Sequence, residues 1–375
     1  MRDPRYDKLA KVLVNYSTNV RPGDLVSISG PANARDLLVA IYRQVVIAGG
    51  HPMLKMAPDE CKEIMLEAGS EEQLCYENPV LQFEIENIDV MIALWGSDNT
   101  KALSRTAPAR QSLLSQGRKR WSETYLQRAA DGAMRWVGTQ APCHASAQDA
   151  EMSLCAYEDF VFGGGLLNHP DPAVAWQEIS ERQQRLVDFL NGKKELRFVA
   201  TNGTDLRLGI DGRTWINCDG HENFPDGEVF TGPIESATEG IVRYSFPAVH
   251  GGRECDGICL KFEHGKVVDA TAAKGEEFLI AMLDQDEGAR TLGEIAIGTN
   301  YSIKQYTKNT LFDEKIGGTF HAAVGAAYPE TGGKNKSGLH WDMVCDLRPG
   351  GTIYVDGEVI SRDGRFVNPH WPKAD

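Results

Sequence analysis

The sequence changes texture once, near Asn191-Gly192, and that change limits the folds open to it. Before it, apolar strand-like runs alternate with stretches of helical periodicity; after it, glycine-rich chain is broken into short strand-like segments. Leu9, Val12, Leu13 and Tyr16 recur at helical spacing. Arg21-Pro22-Gly23-Asp24 then turns the chain into the strand-like Leu25-Val26-Ser27-Ile28. The next helix carries Ala34, Leu37, Leu38, Ile41 and Val45 on one face and is stopped by Gly49-Gly50. Pro52-Met53-Leu54-Lys55-Met56 and Asp89-Val90-Met91-Ile92-Ala93-Leu94-Trp95 read as further strands, with helical stretches near 59–69 and 101–114. Strands that alternate with helices predict a largely parallel sheet covered on both faces. Residues 1–192 are therefore expected to form an α/β domain, closed by a helix from Pro170-Asp171-Pro172 whose core positions are Trp176, Ile179, Leu186 and Leu190.

Residues 193–375 are expected to form a β-rich α+β domain. Glu195–Ala200, the Asn202-Gly203 turn and Leu206–Ile210 read as a hairpin, and only Glu276–Asp284 and His321–Ala327 look helical. Two domains also suit 375 residues, more than one hydrophobic core organises.

Several functions are excluded or disfavoured. The first strand runs into Ser29-Gly30-Pro31-Ala32-Asn33, with one glycine where a dinucleotide fingerprint needs three, so no such cofactor is expected. Gly163-Gly164-Gly165 reads as a flexible turn, not a phosphate cradle. A net charge of −14 without any block of Lys and Arg argues against nucleic-acid binding. No stretch approaches the roughly 18 apolar residues of a membrane span. The opening Met1-Arg2-Asp3-Pro4-Arg5-Tyr6-Asp7 lacks the apolar run of a signal peptide, so the cytoplasm is the expected compartment. Cys255-x-x-x-Cys259 has no answering pair, and the eight cysteines are read as buried structural thiols.

The chemistry lies in the second half. Read as a strand, Ser337–Leu347 puts His340 and Asp342 on one face and Trp341 and Met343 on the other. Imidazole and carboxylate suit a divalent ion such as zinc, manganese or cobalt. Glu228, Glu294 and His321 lie upstream, beside Gly227, Gly293 and Gly317-Gly318, where glycine lets backbone approach closely. Three carboxylates and two imidazoles suit a pair of ions about 3.5–4 Å apart, which can share a carboxylate, sharpen a water and polarise a carbonyl. Each residue alone has a plainer reading: His340 and Asp342 as a structural hydrogen-bonded pair, His321 as a helix-start histidine, Glu228 and Glu294 as surface carboxylates.

In sequence order, Asn223–Pro233, Leu292–Asn300, Leu311–His321, Ala327–Gly333 and His340-Trp341-Asp342 resemble the successive motifs of the aminopeptidase T/aminopeptidase S family of dinuclear metallo-aminopeptidases. That resemblance implies that Glu228, Glu294, His321, His340 and Asp342 ligate two metal ions, with Glu294 bridging them or acting as general base. It implies that Tyr328 donates to the developing oxyanion, though packing beside Pro329 is its plainer role. Glu314 is left open as ligand, supporting partner or helix-start charge. The resemblance further implies a homodimer acting on short peptides, with a preference for neutral or leucine-like N-terminal residues. Two alternatives remain. His321, His340 and Asp342 alone make the two-histidine, one-carboxylate set of mononuclear iron oxygenases, and some ring-cleaving dioxygenases of pyridine catabolism resemble this peptidase fold. A metal-stabilised binding protein would need neither chemistry.

Overall fold

The computed structural model describes residues 3–374; Met1, Arg2 and Asp375, at the ends of the two expected domains, lie outside the described residues. The chain divides into two compact units, one of residues 1–173 and 220–225, the other of 174–219 and 226–375. The long helix Pro172–Leu190 thus groups almost wholly with the second unit, and a short segment returns to the first.

In the first unit, strands Leu25–Pro31, His51–Ala57, Val90–Trp95, Arg135–Gln140 and Asn223–Phe224 form one sheet in which every pairing is parallel. His51–Ala57 is at one edge, beside Leu25–Pro31. The alternating texture produces this arrangement, because parallel neighbours need a crossover and a helix is the compact way to make one. Helix Arg35–Ile47 buries Leu37, Leu38, Ile41 and Val45, as their spacing predicts. The opening helix, Arg5–Lys11, continues as a wider-turned segment over Val12–Ser17. Gly163 and Gly164 are not in a flexible turn: they end the helix Leu154–Gly164, and with Tyr157, Val161 and Phe162 buried, packing outweighs glycine's poor helix propensity.

The second unit contains an eight-stranded and a five-stranded sheet. Hydrophobic side chains from both share one core, where Phe198 of one stacks on Phe320 of the other at 4.1 Å. The five-stranded sheet runs, in spatial order, His340–Asp346, Thr319–Gly325, Leu292–Gly298, Glu228–Thr231 and Ile216–Cys218. Here one expectation fails. His321–Ala327 is not helical: Thr319–Gly325 is a strand buried along its whole length and paired on both sides. A strand covered on both faces has no polar alternation to show, so its apolar run reads equally well as a buried helix. The eight cysteines are free, but Cys61 and Cys155 are exposed, not buried.

Candidate metal centre

Period-two alternation sorts the five-stranded sheet into two faces. Val229, Ile295, Ile297, Phe320, Ala322, Val324, Trp341, Met343 and Cys345 join the core. Glu228, Glu294, His321, His340 and Asp342 have the opposite parity on four adjacent strands, so their side chains leave from the other face. Register then sets their neighbours: Glu294 lies opposite Ala323, His321 opposite Ala296, Asp342 opposite Ala323 and His340 opposite Gly325. The small partners leave space between the ligating groups. Gly227 has φ of 124°, and a Cβ there would come within 2.5 Å of the Asn300 Cβ. Only glycine takes this position without displacing the turn that delivers Glu228.

All five expected ligands come together. His321 Nε2 lies 3.0 Å from Glu294 Oε1, and His340 Nε2 lies 3.4 Å from both Glu294 Oε2 and Asp342 Oδ1. Offered ligand atoms of Glu228, Glu294 and His321 fall within 4.8 Å of one another, as do those of Glu294, His340 and Asp342. Glu294 belongs to both groups. A third group joins Glu314, His321 and Asp342, and a fourth Cys218, Asp226 and Glu228.

Tautomers follow from backbone partners. His321 Nδ1 faces the Glu314 carbonyl at 3.2 Å, and His340 Nδ1 faces the Ala326 carbonyl at 2.9 Å. A carbonyl only accepts, so each Nδ1 carries a hydrogen and each Nε2 points its lone pair into the site when the ring is neutral. Glu228 is also fixed from outside. Gln183, fully buried on the long helix, donates to the carbonyls of Cys218 (2.9 Å) and Glu228 (3.2 Å) and accepts from Thr299 Oγ1 at 2.7 Å.

The electrostatics are those of a site with surplus negative charge. Burial would lower both histidines, but Glu228, Glu294 and Asp342 raise His321 to about 10, and Asp342 and Glu294 raise His340 to about 11. Burial by itself would raise Asp342, yet the hydrogen bond to His340 brings it down to about 2. Glu228 Oε2 is buried with no hydrogen-bond partner and lies 3.6 Å from His321 Nδ1, too far for a hydrogen bond. Leaving such an oxygen unmatched costs on the order of 1–3 kcal/mol or more for a charged group, a cost that a coordinated cation would remove. The donor set, the orphaned oxygen and the outward-tied imidazoles therefore fit divalent metal ions.

Tyr328 follows the His321 strand and is 41% exposed. Its ring meets Phe230 edge-on at 5.4 Å and His340 at 5.3 Å. Its backbone is held by Thr331, whose Oγ1 donates to the Tyr328 carbonyl at 2.6 Å. Burial of the ring, reinforced by the nearby carboxylates, pushes the phenol well above its usual pKa, so it remains a donor. Lys315 was not singled out from sequence. Its side chain is 1% exposed, 2.7 Å from Glu228 Oε1 and 3.6 Å from Asp226 Oδ1, and it also bonds Glu314. The available signal was a lysine between Phe312 and Ile316 in an apolar segment already rich in site residues.

With this geometry in view, the comparisons with known proteins are specific. The thermophilic metalloprotease family, M29, matches over residues 2–366, and the chain belongs to it. It is thus a metallopeptidase by family. Aminopeptidase 2 of Geobacillus stearothermophilus is 27% identical, covering 97% of each chain. Aminopeptidase T of Thermus thermophilus is 29% identical over 96% of this chain and 98% of its own. The solved structure of wild-type AmpT from Thermus thermophilus superposes with a TM-score of 0.86 at 26% identity, covering 97% of this chain and 99% of that one. A 2,5-dihydroxypyridine dioxygenase from Pseudomonas putida shares the fold alone, with a TM-score of 0.58 at 14% identity and coverage of 97% and 96%.

Proposed function

We propose that this chain is a metal-dependent aminopeptidase that removes neutral or leucine-like N-terminal residues from short peptides. Glu228, Glu294, His321, His340 and Asp342 hold two divalent ions, drawn from zinc, cobalt and manganese. The observation that carries the reading is Glu294: its two oxygens face the two histidines separately, and it is the one residue shared by the Glu228–Glu294–His321 and Glu294–His340–Asp342 groups. Divalent ions there would polarise the scissile carbonyl and sharpen a water as nucleophile. The chain's own groups do the rest. Glu294 is placed either to bridge the two positions or to carry a proton toward the leaving amine. Tyr328, protonated and beside His340, donates to the oxyanion as it forms. Glu314, engaged by Lys315, supports the site and is not counted among the ligands.

Glu228 and Glu294 also argue against the oxygenase alternative, because a mononuclear triad of His321, His340 and Asp342 has no need of two further buried carboxylates beside the histidines. A homodimer is part of the proposal. The edge strand His51–Ala57 exposes Leu54 and Met56, and helix Arg35–Ile47 exposes Val39, Tyr42, Val46 and Ile47, more apolar surface than a solitary edge usually leaves uncovered. Light scattering at the mass of two chains would support it; the mass of one would refute it. Free cysteines accord with a reducing compartment such as the cytoplasm. No helix among the described residues is long and apolar enough to cross a membrane.

The deciding experiment is Glu294→Gln, read by elemental analysis and by hydrolysis of leucyl-p-nitroanilide. Loss of bound metal together with a fall in rate of about 100-fold or more is expected, since one amide cannot replace a shared carboxylate. Full metal content at an unchanged rate would overturn the proposal.

A further inference from the structure

Lys315 is a buried cation inside a site built to bind cations, and it is placed unevenly. Its ammonium lies 2.7 Å from Glu228 Oε1, 3.6 Å from Asp226 Oδ1 and in contact with Glu314. Asp226 and Glu228 lie on the Glu228 side, and only Glu314, which joins both His321 and Asp342, reaches toward the other position. Neither His340 nor Asp342 is bonded to it: His340 is tied to the Ala326 carbonyl and to Glu294 and Asp342. The two candidate metal positions therefore differ in their surroundings. At Glu228–Glu294–His321, one Glu228 oxygen is already committed to an ammonium, which leaves Oε2, without a hydrogen bond and 3.6 Å from His321 Nδ1, as the oxygen to ligate. A dication there also sits a few ångströms from a fixed positive charge in a poorly screened interior. At Glu294–His340–Asp342 no carboxylate oxygen is in direct contact with the ammonium, which reaches Asp342 only through its longer-range field.

We infer that Lys315 makes the two metal positions unequal, so that Glu294–His340–Asp342 fills first and holds its ion tightly while Glu228–Glu294–His321 fills second and exchanges. Lys315 is on this account a positioning residue acting through Glu228, and the inference rests on the two-ion reading above. It also assigns the lysine a purpose that a structural ion pair lacks: it keeps Glu228 ordered and compensated when the second position is empty.

The test is a cobalt(II) titration of the metal-free protein, followed by visible absorption and by elemental analysis after dialysis. Wild type should show two steps separated by at least about tenfold in Kd, as a nearby like charge of fixed position predicts. Asp342→Asn should weaken the tight step, and Glu228→Gln the weak one alone. Lys315→Met should tighten the second step and narrow the gap, whereas Lys315→Arg should preserve it. Two equal steps in wild type, or an unchanged gap in Lys315→Met, would overturn the inference and leave the two-ion site standing. One step, abolished alike by Glu228→Gln and Asp342→Asn, would remove the two-ion reading and this inference together. Should Lys315→Met fail to fold, Lys315→Gln takes its place with the same expectation and the same overturning result, while the Glu228→Gln and Asp342→Asn titrations assign which position fills first.

Discussion

A side chain in this site acts through what it can donate or accept at one atom. Tyr328 has its phenol held neutral beside His340, so removal of the hydroxyl alone should separate chemistry from metal binding. Tyr328→Phe keeps the ring against Phe230 and His340; it should lower kcat by about 10- to 1000-fold, the range for losing one oxyanion donor, with metal content unchanged. A rate within twofold of wild type would return Tyr328 to a packing role. At this scale the sequence was legible where a residue type is scarce and its chemistry narrow. His340 and Asp342 could be paired from a period of two, and Glu228, Glu294 and His321 joined them through ordered motifs. Lys315 and Asp226 could not be found that way. A lysine in sequence is ordinarily a solvated cation, and only its own burial in the folded chain, at 1% exposure, shows that this one is enclosed.

Elements convert residue spacing into a shared face, and the cost of breaking one falls on the atoms it leaves unmatched. Gln183 joins the helix Pro172–Leu190 to the turn before Glu228 through four hydrogen bonds, to Asn217, Cys218, Glu228 and Thr299. Gln183→Leu fills the same volume but strands those partners. It should lower unfolding free energy by roughly 1–3 kcal/mol in denaturant melts and weaken metal binding, while the isosteric Gln183→Glu, which lacks the amide donors, should do the same. Stability and metal affinity at wild-type levels in both variants would show that the helix merely passes by. The parallel sheet of the first unit was readable because strand and helix periods alternate cleanly there. The strand Thr319–Gly325 was not, since Phe320, Ala322 and Val324 face the core while His321 and Ala323 face a buried site, and burial on both faces erases the pattern. Gly163 and Gly164 misled for the complementary reason: residues that favour turns were overridden by neighbours with more area to bury.

For the whole molecule, folding and metal binding meet in protons. In the metal-free chain His321 and His340 are raised to about 10 and about 11, against an ordinary histidine near 6.5. Both groups are raised on folding, so the sign is fixed: the folded chain binds more protons than the unfolded one above pH 6.5 or so. Their contribution is complete below that pH, declines as pH rises, and is gone once the pH passes about 11. A chelator-treated sample should therefore lose melting temperature steadily from pH 6.5 toward 10. Coordination through Nε2 requires neutral imidazole, so metal must displace those same protons, and its affinity rises over the same interval. Metal-loaded protein, whose imidazoles are neutral when folded and unfolded alike, should hold its melting temperature over that interval, so its margin over the chelated form widens with pH. Calorimetry in buffers of different ionisation enthalpy should record at least two protons released per chain at pH 7, one for each raised histidine, with a further contribution from Glu228, which burial raises to about 8. A margin that stays constant from pH 6.5 to 10, or metal uptake without proton release, would mean that these imidazoles are not what the ions replace.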